Sequence, residues 1–172
     1  MNRETLGDGS TMITIDTRQQ ALDYADRGWA VMPLLPNQKE PHFDLIKGAY
    51  LGASKDSSLI NFWFDVDPTA NVGIACITSG LVVIDIDYRN GGQVQDYMPA
   101  TYTVETGDGL HLYYKADSSL NFKSAIESGI DIKWRGYVAA APSIHPNGKI
   151  YQIINNIDPV AITGELLEKG AK

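Results

Sequence analysis

The sequence predicts an α+β fold. Three observations carry that reading. Stretches with helical spacing are interspersed with short apolar strands. The second half reads as hairpins separated by Gly, Pro and Asn turns. No repeat, low-complexity tract or internal linker interrupts the 172 residues, a length that suits one domain with a real core.

The elements follow in order. "MNRETLGDGST" is polar and Gly-bearing and has no basic-then-apolar signal pattern. It predicts a flexible lead over residues 1–15, ahead of one folded domain over 16–172. Asp16 or Thr17 caps a first helix with an apolar stripe of Ala21, Leu22, Tyr24 and Ala25, and Gly28 stops it. "WAVMPLL" predicts a strand ending at Pro36, and "PNQKEPHFD" a loop. A second helix is expected over 57–65, stopped before Pro68. "NVGIACITS" and "GLVVIDID" read as strands joined by a tight turn at Ser79 and Gly80, and "GGQVQDYM" as a short helix. "TYTVETGDGLHLYYKA" reads as two strands around a Gly-rich turn. Strands are expected over 131–134 and 137–141. "PNG" turns the chain into another strand, "KIYQII", and "DPVAITGELLEKG" closes with a helix.

Composition excludes several classes. No apolar run approaches the ~18 residues of a membrane helix. Cys76 is the single cysteine, which excludes an internal disulfide and a Cys-rich zinc site. Lying in "VGIACI", it reads as a core thiol in a reducing, cytoplasmic setting. The net charge of −7 is unlike the basic footprint of most nucleic-acid proteins. That number describes only the average field, and basic residues can still cluster at one place.

The chemistry centres on "GLVVIDIDYRN". Side chains alternate along a strand, so Asp85 and Asp87 share one face and Val82, Ile84 and Ile86 the other. A lone pair of this kind is otherwise an ordinary solvated face. Here Leu81 and Val83 share the acidic face, which therefore turns from apolar to ionic abruptly. Two like charges this close also want a cation. In "GLHLYYK", Leu110, Leu112 and Tyr114 alternate with His111, Tyr113 and Lys115. In "GIDIKWRG", Ile130, Ile132 and Trp134 alternate with Asp131, Lys133 and Arg135. If the three strands are neighbours with those faces aligned, Asp85, Asp87, Asp131 and His111 converge, bordered by Lys133 and Arg135. Three carboxylates suit one or two hard divalent cations such as Mg²⁺ or Mn²⁺. Such ions serve nucleotidyl transfer by activating a hydroxyl and stabilising pyrophosphate. The basic side chains suit phosphates. Gly107 and Gly109 either let backbone N–H groups approach an anion or simply turn a hairpin.

With these residues in view, the chain resembles the bifunctional primase–polymerase (prim-pol) domain of the archaeo-eukaryotic primase superfamily, from about Ala21 to about Leu167. "ALDYADRGWAVMPLLPNQKEP" is similar to the family's opening helix, strand and Lys-x-Pro loop, and "GASKDSSLINFWFDVDPTANVGIA" to its next helix and strand. "GLVVIDID", "TGDGLHLYY" and "GIDIKWRGYVAAAPSIHPNGKIYQ" are similar to its three catalytic motifs.

The resemblance implies an RRM-like catalytic sheet packed with a second small α/β unit, the active site between them. It implies template-directed synthesis and extension of primers for a phage, prophage or plasmid. Carried over by position, Asp85, Asp87 and Asp131 hold Mg²⁺ or Mn²⁺, one or two ions, and His111 contacts the incoming triphosphate. Lys133 or Arg135 assists, Ser143 and His145 line the nucleotide pocket, and Lys39 touches nucleotide or template, or is an exposed loop lysine. The implied partners are single-stranded DNA template, nucleoside triphosphates and a replicative helicase, with no membrane and no zinc, in the cytoplasm of a prokaryotic host.

Two features depart from the family. Relatives often carry Ser two residues before the histidine, where this chain has Gly109, so backbone contacts must replace a hydroxyl. "KWRG" stands where an Arg-Gly-rich turn is common. A non-catalytic DNA- or nucleotide-binding replication module is the alternative reading, and a metal-dependent nuclease a third.

Overall fold

The computed structural model describes residues 2–5, 7, 11–14 and 16–172. Asn2–Thr5 (β1) and Thr11–Thr14 (β2) pair antiparallel with each other. The flexible lead expected over 1–15 lies in part outside the described residues. Helix α1, Thr17–Asp26, starts at Asp16, whose carboxylate accepts from the Gln19 N–H at 3.3 Å. Gly28, at φ 86°, carries the chain out of it. Val31–Leu34 (β3) follows. Helix α2, Ser57–Val66, is capped by Asp56 accepting from the Ser58 N–H. Then come Asn71–Ala75 (β4), Leu81–Asp87 (β5), Tyr102–Glu105 (β6), Gly109–Lys115 (β7), Ala125–Glu127 (β8), Ile130–Lys133 (β9), Tyr137–Ala139 (β10), Gln152–Asn155 (β11) and helix α3, Gly164–Gly170. The class is α+β, as expected.

Two antiparallel sheets make the frame. The small one has the order β10-β4-β3, the large one β11-β6-β7-β5-β9-β8. β5 lies at the middle of the large sheet, and its alternation feeds two cores. Leu81 and Val83 join Tyr24, Trp29, Trp63, Ile74 and Tyr113 on the face covered by α1, α2 and the small sheet. Val82, Ile84 and Ile86 join Leu112, Tyr114, Ile132, Trp134 and Leu166 on the face covered by α3. Each buried aliphatic side chain contributes roughly 1.5–3 kcal/mol, so a register slip of one residue would empty both cores together.

Two local readings need correction, and one strand went unread. The turn at Ser79 and Gly80 does not make a hairpin. A 3-10 turn, Ile77–Ser79, ends at left-handed Gly80 and carries the chain from the small sheet to the large one. "GGQVQDYM" is not helical. Its Gly92 N–H donates to the Asp87 carbonyl at 2.8 Å, and a Cβ there would strike the Gly129 carbonyl. The segment is thus held as irregular chain against the end of the sheet, with a turn where the Met98 N–H donates to the Gln95 carbonyl at 2.9 Å. The edge strand β8 gave no sequence signal, being three residues long and irregularly paired.

Asp67 closes α2 and reaches out of it. Its carboxylate accepts from the Thr69 N–H and hydroxyl and meets buried His42 at 3.0 Å. The Thr69 hydroxyl is the main reason its pKa lies below the ordinary 3.8, although burial opposes it. Asp67→Asn is expected to cost about 1 kcal/mol near neutrality, solvent access to the carboxylate keeping the figure small. A depressed pKa gives stability that is fully present above the unfolded value and is lost as pH falls through the folded one. The two proteins should therefore converge at acid pH, once the folded carboxyl is protonated, and separate near neutrality, which urea unfolding under both conditions checks.

Candidate active site

The acidic face of β5 begins where the apolar cover ends. In the register, Asp85 stands directly opposite His111 of β7 on one side and Asp131 of β9 on the other. Period-2 alternation puts all three on the face of Val83 and Tyr113. Tyr113 is locked in the core, stacked on Tyr102 at 5.0 Å, and this fixes His111 two residues earlier on the same face. The His111 Nε2 lies 3.5 Å from Asp85 Oδ1, and Lys133 Nζ lies 3.8 Å from Asp85 Oδ2 and 3.3 Å from Asp131 Oδ2. Burial by itself pushes the Asp85 carboxyl up. The His111 imidazole and the Lys133 and Lys39 charges outweigh it and hold the group below 3.8.

Asp87 shares the face but serves the chain first. It accepts from the Arg89 N–H at 3.0 Å and from the Asn90 amide at 2.7 Å, starting a 3-10 turn, Tyr88–Asn90. Arg89 then pairs with Asp108 at 3.0 Å. Lys39, His111 and Tyr151 stand with Asp85 in two adjoining clefts. One also takes Asp87, Arg89 and His145; the other takes Lys133 and three residues of β10. The second holds about 310 Å³ and is thus lined from both sheets.

The glycines have packing reasons. A Cβ at Gly109 would overlap the Ile86 carbonyl oxygen, and one at Gly107 the His145 ring. Gly109 lets β7 close on β5, and Gly107 seats His145. Burial first, then the Lys39 charge, keeps His145 below its ordinary 6.5, so its ring is neutral at neutral pH.

Two expected residues lie apart from this group. Ser143 is buried, and its hydroxyl donates to the Val72 carbonyl and accepts from the Val72 N–H, both at 2.9 Å. It clamps the turn after β10 to β4 and does not line the clefts. Arg135 turns to Asn121, with Nη2 3.3 Å from its Oδ1. Of the two basic residues in "KWRG", Lys133 is the one that meets the acids. Two residues in the clefts had not been singled out. Arg89 stands two residues beyond the end of the acidic strand, and that nearness was its only signal. Tyr151, 2% exposed, packs between His111 and His145 with ring centroids at 6.0 and 5.8 Å. It lies in "KIYQ", inside the third similar segment, yet nothing local marks its direction.

The donor set suits a hard divalent cation, since three carboxylates share one face and two are directly opposed. Among the described residues, however, no group of three or more His, Cys, Asp or Glu side chains stands gathered for a metal ion. Lys133 sits with Asp85 and Asp131, and Asp87 is engaged by Asn90, so the negative charge is met by side chains of the protein itself. No described helix is long and apolar enough to cross a membrane.

A small antiparallel sheet laid over a larger one, with acids and cations facing each other at their junction, fits an enzyme that handles phosphates. The chain belongs to the Prim-Pol family, described as the N-terminal domain of bifunctional DNA primase/polymerases, which matches residues 21–165. That membership implies a nucleotidyltransferase-type enzyme acting with DNA and nucleotides. A search among curated proteins finds no match.

Proposed function

We propose that this chain is a metal-dependent, template-directed nucleotidyltransferase that starts and extends DNA primers, in the replication of a phage, prophage or plasmid. Family membership supports the class of reaction. The observation that carries the site is the direct opposition of Asp85 to both His111 and Asp131 across three neighbouring strands. In this reading an RRM-like sheet carries the catalytic groups and the small sheet roofs the nucleotide.

Asp85, Asp87 and Asp131 are the residues that would hold Mg²⁺ or Mn²⁺, and such an ion supplies positive charge for hydroxyl activation and for the leaving pyrophosphate. The chain's own groups bind and orient. Lys39 and Arg89 give the triphosphate a cationic side, and His111 adds a ring N–H donor. Lys133 balances Asp85 and Asp131 until nucleotide arrives. Tyr151 holds the His111 ring in place. A primer hydroxyl oxygen then attacks the α-phosphorus, and the bond to pyrophosphate breaks.

Nucleotide incorporation on a primed single-stranded template, with Mg²⁺ or Mn²⁺, tests this. The wild-type protein should extend the primer, and Asp85→Ala/Asp87→Ala should not. Equal incorporation by the two would sink the reading. The engagement of Asp87 and Lys133 within the protein favours a second reading, a DNA- or nucleotide-binding replication module without catalysis. Tight strand binding with no incorporation under either metal would select it.

A further inference from the structure

Four of the chain's 14 Lys and Arg residues line a single groove, although the net charge is −7. The groove holds about 500 Å³, is walled by Lys123 and Lys172 and floored by the end of β9 with Lys133 and Arg135. No described Asp or Glu lines it. Its walls are fixed by backbone pairing. The Lys123 N–H donates to the Gly170 carbonyl and the Lys172 N–H to the Asn121 carbonyl, both at 2.9 Å. Arg135 places one Nη2 on Asn121, and its other donors remain for a ligand. Lys133 and Tyr137 line both this groove and the cleft of Asp85, so the two are continuous.

We propose that this groove binds the phosphodiester backbone of a single DNA strand and leads it to the Asp85 site. The proposal rests on the reading above for what the strand is used for. Charge selects the ligand. Lys133 is shared with Asp85 and Asp131 and Lys123 Nζ rests on the Lys169 carbonyl at 3.1 Å, but no described carboxylate meets Lys123 or Arg135, and exposed cations on an acidic protein attract a polyanion. The aromatic neighbours select the mode. Phe122 and Trp134 are buried, 9% and 5% exposed, and half-buried Tyr137 ties its hydroxyl to the Lys39 carbonyl at 2.8 Å, so none stands as an open platform for bases. Recognition is therefore of backbone and independent of sequence. Arg135 thereby gains a role separate from the triphosphate.

The test is fluorescence anisotropy of a labelled single-stranded oligodeoxynucleotide over a salt series, with binding of a fluorescent nucleoside triphosphate in Mn²⁺ measured in parallel. Lys123→Gln/Arg135→Gln should weaken strand binding about tenfold. Removing two phosphate contacts should flatten the log–log salt slope by about 1.4. Triphosphate binding should not change. Lys123→Arg/Arg135→Lys should keep strand binding, and so should Lys55→Gln, which lies in the loop before α2. All three substituted residues are exposed, and matching unfolding midpoints confirm that the variants fold. Wild-type affinity and slope in the double Gln variant would overturn the proposal. Loss of triphosphate affinity with strand affinity intact would overturn it too, as would no strand binding by the wild-type protein at any salt. If no variant and no metal gives incorporation, yet the double Gln variant loses strand affinity and slope, the catalytic reading falls and the groove stands.

Discussion

Asp85→Asn is expected to cut nucleotide incorporation roughly a thousandfold while the protein stays folded. The amide keeps the shape and removes only the charge. That charge is the centre of the site, with His111 at 3.5 Å and Lys133 at 3.8 Å. A thousandfold is about 4 kcal/mol of transition-state stabilisation, within the range for a charged group on a reacting phosphate. The structural cost is smaller, because Asp85 is partly exposed and Lys133 still has Asp131. Single-turnover extension compared with the urea midpoint separates the two effects. A fall in rate that merely follows a fall in stability would show Asp85 to be structural. An unaltered rate would remove it from the chemistry.

Gly109→Ala is expected to destabilise the fold by about 2–3 kcal/mol, with Tm lower by roughly 4–12 °C. The added methyl would occupy the space of the Ile86 carbonyl oxygen on the neighbouring strand. Since Gly109 pairs with Asp87, the strands must part where the acids end, and His111 two residues on moves with them. Incorporation should fall with stability in this variant, in contrast to Asp85→Asn. A urea midpoint equal to wild type would show that β7 can shift freely at this position.

Much of this site was legible in the sequence because it depends on a local rule. Period-2 alternation in three short segments put Asp85, His111 and Asp131 on one face, and the register brings them to opposed positions. Non-local matters were not legible. Ser143 looks like a pocket residue in "PSIHP", but β4 passes beside it and takes both roles of its hydroxyl. Lys133 and Arg135 alternate in the sequence, yet β9 ends at Lys133, so Arg135 is released from the strand's period and meets Asn121 while Lys133 meets Asp131. "GGQVQDYM" has helix-compatible residues, but contact of Gly92 with the distant Gly129 overrides them. The fold class followed from mixed periodicities. The crossing between sheets at Gly80 did not, because a turn residue tells that the chain bends and not where it goes next.

The position of β5 has a consequence for how the molecule opens. Its backbone is paired on both edges and its side chains enter both cores. No partial opening can free it while either neighbour holds. Its amide protons should therefore exchange with solvent only through global unfolding, later than those of edge strands such as β8 and β11. Asp85 and Asp87 of the candidate site ride on the slowest-exchanging part of the chain, so heat should disperse them and the fold in one step.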